Sequence, residues 1–319
     1  MIPTNLYSSN KISENIFNNI NHNNHNNDNN YEEYQYLNLI ENILENGTWE
    51  EGRNGKTKSI FGASMRFSLK DGKIPILTTK KTAWKTCLKE LIWFIRGKTN
   101  NKLLLEQGVH IWDGNSTREF LDSRGLQHYE VDELGPIYGH QWRHFNAKWE
   151  GDHHDYTGEG VDQLQQIIDA LKDPKQRTSR RLIMTAWNPC QLDDMALPPC
   201  HILCQFNVHD GNKLSCALYQ RSNDEACGTS FNIASYSFLT HLLAKHCGLV
   251  AYEFVYFKGN CHIYEEHIDG LKLQITREPY PFPIVSIKQI RDNINDYQVD
   301  DFILENYKHH EPIKFQMVA

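Results

Sequence analysis

The sequence lacks an apolar run long enough to cross a bilayer, and its N-terminus has no apolar segment of the signal-peptide type. It also lacks an excess of basic residues, because 33 lysines and arginines stand against 40 aspartates and glutamates, for a net charge of -7. This balance argues against a polyanion as the main partner. We expect a soluble, cytoplasmic protein, with a nuclear location also compatible, whose activity needs neither a membrane nor a nucleic acid.

Paired Cys-x-x-Cys motifs are absent, although the chain has eight cysteines. Their irregular spacing fits a reducing compartment better than a disulfide framework or a structural zinc site. Cys200 and Cys204 would share one face of a predicted strand, but no second pair at metal spacing accompanies them. The sequence therefore predicts no metal. Internal repeats are absent as well, and 319 residues suffice for one large domain.

Asparagine dominates the first thirty residues, with His22, His25 and Asp28 interspersed. Such a tract cannot bury enough apolar surface to offset the entropy lost on ordering. The sequence predicts a disordered tail over residues 1–30 and a folded domain over residues 31–319. The histidines and the aspartate are conceivable metal ligands, but a solvated tail is the favoured interpretation.

Beyond the tail, apolar residues recur at the periods of helices and strands. Helices are expected over 36–46, 84–95, 161–171 and 231–247. Strands are expected over 182–187, 202–208, 214–219, 251–257 and 283–290, and a hairpin around Lys70-Asp71-Gly72-Lys73. The apolar C-terminal residues 313–319 are expected to dock, since free tails are normally polar.

Cys200 stands in an unusual local setting. Pro198 and Pro199 fix the backbone ahead of it and remove two amide donors, which is not typical of a central strand. His201, a titratable residue, follows directly. A nucleophile and a buried structural thiol both fit these residues, and the structural thiol is the default because free cysteine is commonly buried.

Several other polar residues also allow two interpretations. Glu90 lies among apolar residues of the 84–95 helix, either in the core with a raised pKa or on the polar face. Arg53 is an anion ligand or a solvated loop charge. Arg180 and Arg181 lead into a strand and would point to opposite faces, so an anion or an interface would explain the pair better than solvent alone.

The segment 220–224 and its surroundings suit a ligand. Arg221 offers a forked cation and Ser222 a hydroxyl, which together suit bidentate phosphate binding. Asn232 binds a ligand or only caps the 231–247 helix. Aromatic residues are dense in 111–115 and 135–143, where they suit stacking on a planar ligand or an ordinary core.

Several ordered motifs resemble the thymidylate synthase family: Leu-Pro-Pro-Cys-His at 197–201, Tyr-Gln-Arg-Ser at 219–222 and Phe-Asn-Ile-Ala-Ser-Tyr at 231–236. The similarity extends from about residue 32 to 319. It includes Glu-Leu-Ile-Trp-Phe at 90–94, Gly-Pro-Ile-Tyr-Gly at 135–139, Gln-Trp-Arg at 141–143, Arg-Arg at 180–181 and the final Met-Val-Ala. So many matches in one order make a chance resemblance very unlikely.

The resemblance implies an α+β fold of the three-layer α/β/α type. A large twisted mixed sheet would be covered by helices, and one sheet face would serve homodimerisation. The implied reaction is the reductive methylation of dUMP to dTMP. The co-substrate 5,10-methylenetetrahydrofolate would supply both carbon and hydride and leave as dihydrofolate. The Cys200 thiolate would add to C6 of the uracil.

The resemblance also implies roles for individual residues. The catalytic set would be Cys200, Glu90, Tyr138, His201, Asn232 and Arg221. The dUMP contacts would be Arg53, Arg180, Arg181, Gln220, Arg221, Ser222, Asp224, Asn232, His262 and Tyr264. The folate contacts would be Ile111, Trp112, Asn115, Asp224, Gly228, Phe231 and Ala319. Arg180 and Arg181 would reach the phosphate site of the other subunit, and no metal would take part.

The chain departs from the family pattern in two places. Asn260 stands where the family usually has aspartate, and the 223–230 loop is less rich in glycine and proline. These differences bear on folate affinity and loop mobility. Two alternatives are a pyrimidine nucleotide hydroxymethylase and a non-catalytic nucleic-acid-binding regulator on the same fold, against which the acidic balance and complete catalytic set speak.

Overall fold

A computed structural model describes residues 30–52 and 55–316 of the chain. The helices of these residues are α1 (Tyr34–Asn46), α2 (Trp84–Ile95), α3 (Lys102–Leu105), α4 (Asp113–Ser116), α5 (Arg118–Ser123), α6 (Tyr138–His144), α7 (Gln163–Lys172), α8 (Gly228–His246) and α9 (Ile268–Ile275). The strands are β1 (Thr48–Gly52), β2 (Gly55–Ser68), β3 (Ile183–Thr185), β4 (His201–His209), β5 (Lys213–Asp224), β6 (Val250–Tyr264), β7 (Ile284–Ile287) and β8 (Phe302–Glu305). None of the described helices combines the length and apolar character needed to span a bilayer.

A six-stranded mixed sheet forms the centre of the fold, in the order β1-β2-β6-β5-β4-β3. Its neighbouring strands are antiparallel except β5 and β6, which are parallel and are connected by the long helix α8. Strands β7 and β8 form a separate two-stranded sheet. The prediction of an α+β fold with a large mixed sheet covered by helices is confirmed.

The two faces of the central sheet differ because side chains alternate along each strand. On one face, Cys216 and Leu218 of β5 lie beside Phe254 and Tyr256 of β6, and all four are buried. Helix α8 packs against these two strands, so this face carries the core. The residues that alternate with these in β5 and β6, such as Tyr219 and Phe257, point to the opposite face.

That opposite face exposes large apolar side chains. Tyr219 pairs with Phe257 across β5 and β6, and they are 36% and 45% exposed. Ile183 of β3 lies on the same face and is 46% exposed. An apolar sheet surface of this kind is uncommon on a monomer and is typical of an interaction site.

Several predicted elements differ in the structure. The hairpin predicted at 70–73 is wrong, because β2 ends at Ser68 and a 3₁₀ turn over Lys70–Gly72 leads into an irregular segment. The predicted 251–257 strand continues to Tyr264, so residues 259–264 are a strand and not a connection. The reason is pairing on both sides, since this stretch bonds to both β2 and β5.

The ends of the described chain are packed. The side chain of Asn30 donates to the backbone oxygen of Tyr280 at 2.9 Å, so the folded part includes the last residue of the predicted tail. Residues 1–29 lie outside the described part. At the other end, Phe315 contacts helix α9, where a Cβ at Gly270 would lie 2.6 Å from its ring. The predicted docking of the C-terminus is confirmed as far as Gln316.

Candidate active site

Cys200 lies directly before β4, where the two preceding prolines present their carbonyls to Arg221. The Arg221 Nε donates to the Pro199 oxygen at 2.8 Å, and Nη2 donates to the Pro198 oxygen at 2.9 Å. Nη2 also lies 3.8 Å from the Cys200 Sγ. The Arg221 backbone N–H donates to the Cys200 oxygen at 2.9 Å, so strand β5 holds both residues in fixed positions.

The environment of the Cys200 thiol has opposing effects on its pKa. Burial raises the pKa, and the Arg221 guanidinium acts in the opposite direction without cancelling the effect of burial. The thiol is therefore mostly protonated in this structure. Two of the Arg221 donors are used by the proline carbonyls, which leaves Nη1 free of hydrogen bonds within the described residues. Phosphate binding by Arg221 together with Ser222 stays a prediction, for which Nη1 is the available guanidinium nitrogen.

Tyr138 and His201 stack beside Cys200, with ring centroids 4.0 Å apart. The Cys200 backbone N–H donates to the Tyr138 hydroxyl at 2.7 Å. His201 Nδ1 lies 2.7 Å from the hydroxyl of Tyr236, and burial lowers the pKa of His201 to about 3. His201 is therefore a neutral hydrogen-bonding group at neutral pH, and the imidazolium form is not populated.

Of the two interpretations of Glu90, the structure supports the one with a raised pKa, although the residue is only partly buried. Burial raises its pKa to about 7, although the indole N–H of Trp112 donates to Oε1 at 2.8 Å and lowers it in part. The Trp112 and Tyr138 rings are in edge contact, with centroids 6.1 Å apart. Glu90, Trp112, Tyr138 and Cys200 thus form a continuous group in which one carboxyl titrates near neutrality.

Asn232 is not the cap of its helix. Helix α8 begins at Gly228, three residues before the predicted start, and Cys227 is at its N-cap. The Asn232 amide is partly buried and makes no hydrogen bond in the described part of the chain. A Cβ at Gly228 would lie 3.6 Å from its Oδ1 and 3.2 Å from the Asn223 Oδ1, so the glycine leaves space between the two amides.

The end of β5 presents polar side chains near Cys200, and we call the space between Cys200, Glu90 and this end of β5 the cleft. Gln220 is buried, accepts from the Tyr256 hydroxyl at 2.6 Å and donates to the Ser222 oxygen at 3.0 Å. Asn223 donates to the same tyrosine hydroxyl. Burial raises the pKa of Tyr256 well above its ordinary value, and Cys200 and Tyr138 act in the same direction.

The carboxyl end of β6 adds His262 beside Asp224. These two residues are partners in the parallel pairing, as are Ser222 and Asn260. His262 Nδ1 lies 2.9 Å from the Asn260 Oδ1, and the ring of Tyr264 stands edge-on to His262 at 5.4 Å between centroids. The polar residues predicted from β5 and β6 therefore meet at one edge of the sheet.

Trp112 and Phe231 flank one face of helix α2. The Cys87 thiol donates to the Phe231 backbone oxygen at 3.3 Å, and Glu90, one turn later, holds Trp112. Phe231 and Ile111 are only partly buried, and Asn115 follows Trp112 by one turn. Asp224 is 18% exposed. The apolar rings offer surfaces for stacking, the amide offers a donor and an acceptor, and the carboxylate offers acceptors, which together fit a flat heterocycle with polar edges.

Within one chain, Arg180 and Arg181 lie far from Cys200 and the residues around it. Strand β3 begins at Ile183, so both arginines lie in the preceding turn and the alternation argument does not apply to them. Ile183 pairs with Gln205, which places the arginines roughly 20 Å from Cys200 along the sheet. Both are exposed. The predicted contacts of Arg53 and Ala319 lie outside the described residues.

Three residues near the cleft were not predicted. Tyr236 bonds His201, Lys80 is buried with its ammonium against the Ala226 oxygen, and His267 bonds the Gln316 oxygen at 2.8 Å. Tyr236 could have been found, because a tyrosine hydroxyl in an apolar helix needs a partner. Lys80 and His267 lie in segments without periodic signals, and only the tertiary fold places them.

Known proteins match most of this chain. The sequence profile described as thymidylate synthase matches residues 34–319. A bifunctional dihydrofolate reductase-thymidylate synthase of Plasmodium berghei is 51% identical over 287 residues, 89% of this chain and 48% of that protein. A protein of the same description from Leishmania amazonensis is 50% identical over 89% of this chain and 55% of its own length.

A probable thymidylate synthase of Schizosaccharomyces pombe is 50% identical over 294 residues, 89% of this chain and 47% of that protein. The chain therefore spans about half the length of the curated relatives it matches. The profile match and these identities, together with the Cys200 site, lead to one conclusion. The chain belongs to the thymidylate synthase family.

Proposed function

We propose that the protein catalyses the reductive methylation of dUMP to dTMP. The observation that carries this proposal is the position of Cys200, partly buried between Arg221 and Tyr138 and near the carboxyl ends of β5 and β6, where Ser222 and His262 lie. A cysteine there faces polar groups suited to a nucleotide. The family membership supports the same activity.

In the proposed reaction, the Cys200 thiolate adds to C6 of the uracil. The electron pair of the C5–C6 double bond moves onto C5 and O4, which makes C5 nucleophilic. Arg221 stabilises the thiolate as substrate binds, and Asn232 pairs with the uracil edge by donating to O4 and accepting from N3-H. An aspartate at this position would favour cytosine, so Asn232 selects uracil.

The bound co-substrate, 5,10-methylenetetrahydrofolate, supplies the one-carbon unit and a hydride. Trp112, Phe231 and Ile111 would hold its rings, while Asn115 and Asp224 contact its polar edges, and Gly228 leaves room for its approach. The C-terminal segment, including Ala319, would cover it and exclude water. Glu90, Tyr138 and His201 order the proton relay that removes the C5 proton, for which a carboxyl that titrates near pH 7 is suited. Loss of that proton expels the folate nitrogen and leaves an exocyclic methylene at C5. Hydride transfer from the folate to this methylene then breaks the bond between Cys200 and C6, which releases dTMP, dihydrofolate and the thiolate.

The phosphate of dUMP would be held by Ser222, Gln220 and the free Nη1 of Arg221, together with Arg53. Arg180 and Arg181 of a second copy would complete the site, because they cannot reach Cys200 of their own chain. His262 and Tyr264 would contact the deoxyribose. The exposed apolar face around Tyr219 and Phe257 suits the dimer that this sharing requires.

We further propose a single catalytic domain over residues 31–319, preceded by the asparagine-rich tail, and a cytoplasmic location. All eight cysteines are free thiols, which suits a reducing compartment.

The decisive experiment incubates the full chain with dUMP and methylenetetrahydrofolate, follows dihydrofolate by absorbance and identifies the nucleotide by mass. The proposal predicts dTMP and dihydrofolate in equal amounts. Hydroxymethyl-dUMP with tetrahydrofolate would instead identify a hydroxymethylase. RNA binding without turnover of dUMP would identify a regulator that has kept only the fold.

A further inference from the structure

Three metal-ligating side chains form a cluster beside the cleft. Asp224, Cys227 and His267 each present one ligand atom, and these atoms lie within 4.8 Å of one another. Asp224 ends β5, Cys227 precedes α8, and His267 ends the short turn before α9. Neither Cys227 nor His267 has a part in the proposed reaction.

His267 directs one ring nitrogen into this cluster and holds the other at a backbone carbonyl. Its Nε2 lies 2.8 Å from the Gln316 backbone oxygen, which can only accept, so Nε2 carries a ring proton. Burial lowers the pKa of His267, but the Asp224 carboxylate and the Gln316 carbonyl raise it above its ordinary value, so a cation must displace a proton from the other ring nitrogen, Nδ1. This atom is buried in a side chain that is 1% exposed, and it has no hydrogen-bond partner.

The unpartnered Nδ1 is directed into the cluster. Its separation from the Asp224 Oδ1 is 3.8 Å, which is too long for a hydrogen bond. Metal-bound histidines commonly donate one ring N–H to a carbonyl and direct the other nitrogen at the metal. His267 shows this arrangement, and the Asp224 carboxylate is the neighbour of its Nδ1.

Cys227 supplies the soft ligand of the group. Burial raises the pKa of its thiol to about 12, with the Asp224 carboxylate acting in the same direction, so the sulfur keeps its proton when no cation is present. The N-terminus of α8 and the nearby Lys80 would stabilise the thiolate once it forms.

We propose that Asp224, Cys227 and His267 form a binding site for a divalent cation of the zinc class. One thiolate, one imidazole and one carboxylate are ligands that zinc accepts, with a fourth position left for water. Bonds of about 2.0–2.3 Å place tetrahedral ligands roughly 3.3–3.6 Å apart, so the cluster must contract by about one ångström at its widest.

Binding forms a zinc–sulfur bond and releases the thiol proton of Cys227 and the Nδ1 proton of His267 to solvent. The two anionic ligands neutralise the dication, which limits its repulsion with Lys80. The sequence offered no sign of this site, because His267 lies in a segment far along the chain from Asp224 and Cys227. The site also has a consequence that rests on the proposed function: a bound cation withdraws Asp224 from the folate and fixes the Gln316 carbonyl through His267.

The test is a titration of the metal-free full chain with Co²⁺, which reports thiolate ligation by a charge-transfer absorption in the near ultraviolet. We expect one cobalt ion per chain at this site, and displacement of the absorption by Zn²⁺. The variants are Cys227→Ser and His267→Gln, since glutamine can still donate to the Gln316 oxygen. Cys190→Ser, at an exposed cysteine, is the matched control.

The proposal predicts that Cys227→Ser abolishes the absorption, that His267→Gln weakens cobalt binding at least tenfold and that Cys190→Ser changes neither. Circular dichroism checks that each variant is folded. The proposal is overturned if the wild-type chain shows no such absorption, or if either cluster variant binds cobalt unchanged. An inactive protein with the expected cobalt spectrum would refute the proposed reaction and support the metal site.

Discussion

The proposed nucleophile Cys200 can be tested with Cys190 as a control cysteine. Cys200 lies 3.8 Å from a guanidinium nitrogen, whereas Cys190 is exposed and lies outside the cleft. We expect Cys200→Ser to lower turnover of dUMP by roughly a thousandfold or more, because a hydroxyl is a far weaker nucleophile.

Binding of dUMP should survive in Cys200→Ser, since Gln220, Ser222 and Asn232 are unchanged. Steady-state kinetics measures the first effect, and equilibrium dialysis with labelled dUMP measures the second. Cys190→Ser should match the wild type in both. Turnover that persists in Cys200→Ser would remove the nucleophile assignment.

Glu90 should make the stability of the protein depend on pH. Its folded pKa is about 7, above the ordinary 4.5, so between these values the unfolded chain loses a proton that the folded chain keeps. The stability due to protonated Glu90 is fully present below pH 4.5 and is lost as the pH rises through 7.

Glu90→Gln stays neutral at every pH and can still accept from Trp112. Relative to the wild type, this variant should gain roughly 2–3 kcal/mol of unfolding free energy between about pH 5 and pH 8. Urea unfolding at the two pH values measures the difference. Glu106→Gln, at an exposed position, should show no such gain, and an equal gain there would contradict the prediction.

At the residue scale, the sequence predicts the chemistry better than the electrostatics. Cys200 was identifiable from its prolines and from the motif around it. The position of Glu90 was ambiguous, because helical period alone does not tell which face a helix buries. Arg221 was predicted to offer its forked guanidinium to a ligand. That two of its nitrogens donate to proline carbonyls depends on how β4 and β5 pair, which the sequence alone does not give.

At the scale of elements, a buried ion pair joins β6 to the segment between β5 and α8. Lys258 Nζ lies 2.5 Å from the Glu225 Oε2, and neither side chain is exposed. Thr229 donates to the same carboxylate oxygen at 2.7 Å and accepts from Lys258 at 3.0 Å. This pair holds the segment that carries Asp224 at the cleft.

Removing one member of this pair leaves an uncompensated buried charge. We expect Lys258→Met and Glu225→Met each to lower the free energy of unfolding by about 3–5 kcal/mol, and the double variant to be close to wild type. Denaturant unfolding of the four proteins completes the cycle. Strictly additive losses would mean that the two charges do not interact.

The packing of the C-terminal segment against α9 depends on the absence of a side chain at Gly270. Any Cβ at Gly270 would lie 2.6 Å from the Phe315 ring, so Gly270→Ala should displace the segment. Alanine stabilises a helix by about 1 kcal/mol relative to glycine, so weaker docking of the C-terminal segment in this variant would not result from unfolding of α9.

We expect carboxypeptidase to release C-terminal residues several-fold faster from Gly270→Ala, and turnover of dUMP to fall more than its binding. Lys272→Ala, at an exposed position of α9, serves as the control. Equal digestion rates for the wild type and Gly270→Ala would show that Phe315 does not hold the segment.

The sequence predicted the four longest helices and the central strands, because their apolar periods are clear. It failed where a segment owes its structure to distant partners. The stretch 259–264 contains glycine and asparagine and is a strand only because β2 and β5 bond to both of its edges. The helix α8 begins earlier than its apolar run, since Cys227 and Thr229 give no periodic signal.

At the scale of the whole molecule, the proposed sites are shared between two copies. Mixing Cys200→Ser chains with Arg181→Ala chains, each nearly inactive, should therefore restore about a quarter of the wild-type activity when chains exchange freely. The hybrid has one complete site, in which Cys200 comes from one chain and Arg181 from the other. Activity of the mixture is measured after mild denaturation and refolding.

Phe257→Glu in both chains tests whether the recovery needs the exposed sheet face. The charge should prevent assembly, so no activity returns and sedimentation shows monomers. Phe61→Glu is the control, because Phe61 is 83% exposed but lies on the other face of the sheet. Recovery without assembly would contradict the shared site.

The topology of the central sheet sets an order in which the cleft can form during synthesis. Strand β2 pairs with β6, so that Thr57 meets Tyr264 roughly two hundred residues later in the chain. Cys200 and Arg221 can pair as a local hairpin as soon as β5 emerges. The side of the cleft that carries His262 and Tyr264 must wait for β6, and until then β2 has an unpaired edge. The proposed nucleophile can therefore be in place before the residues proposed to contact the deoxyribose.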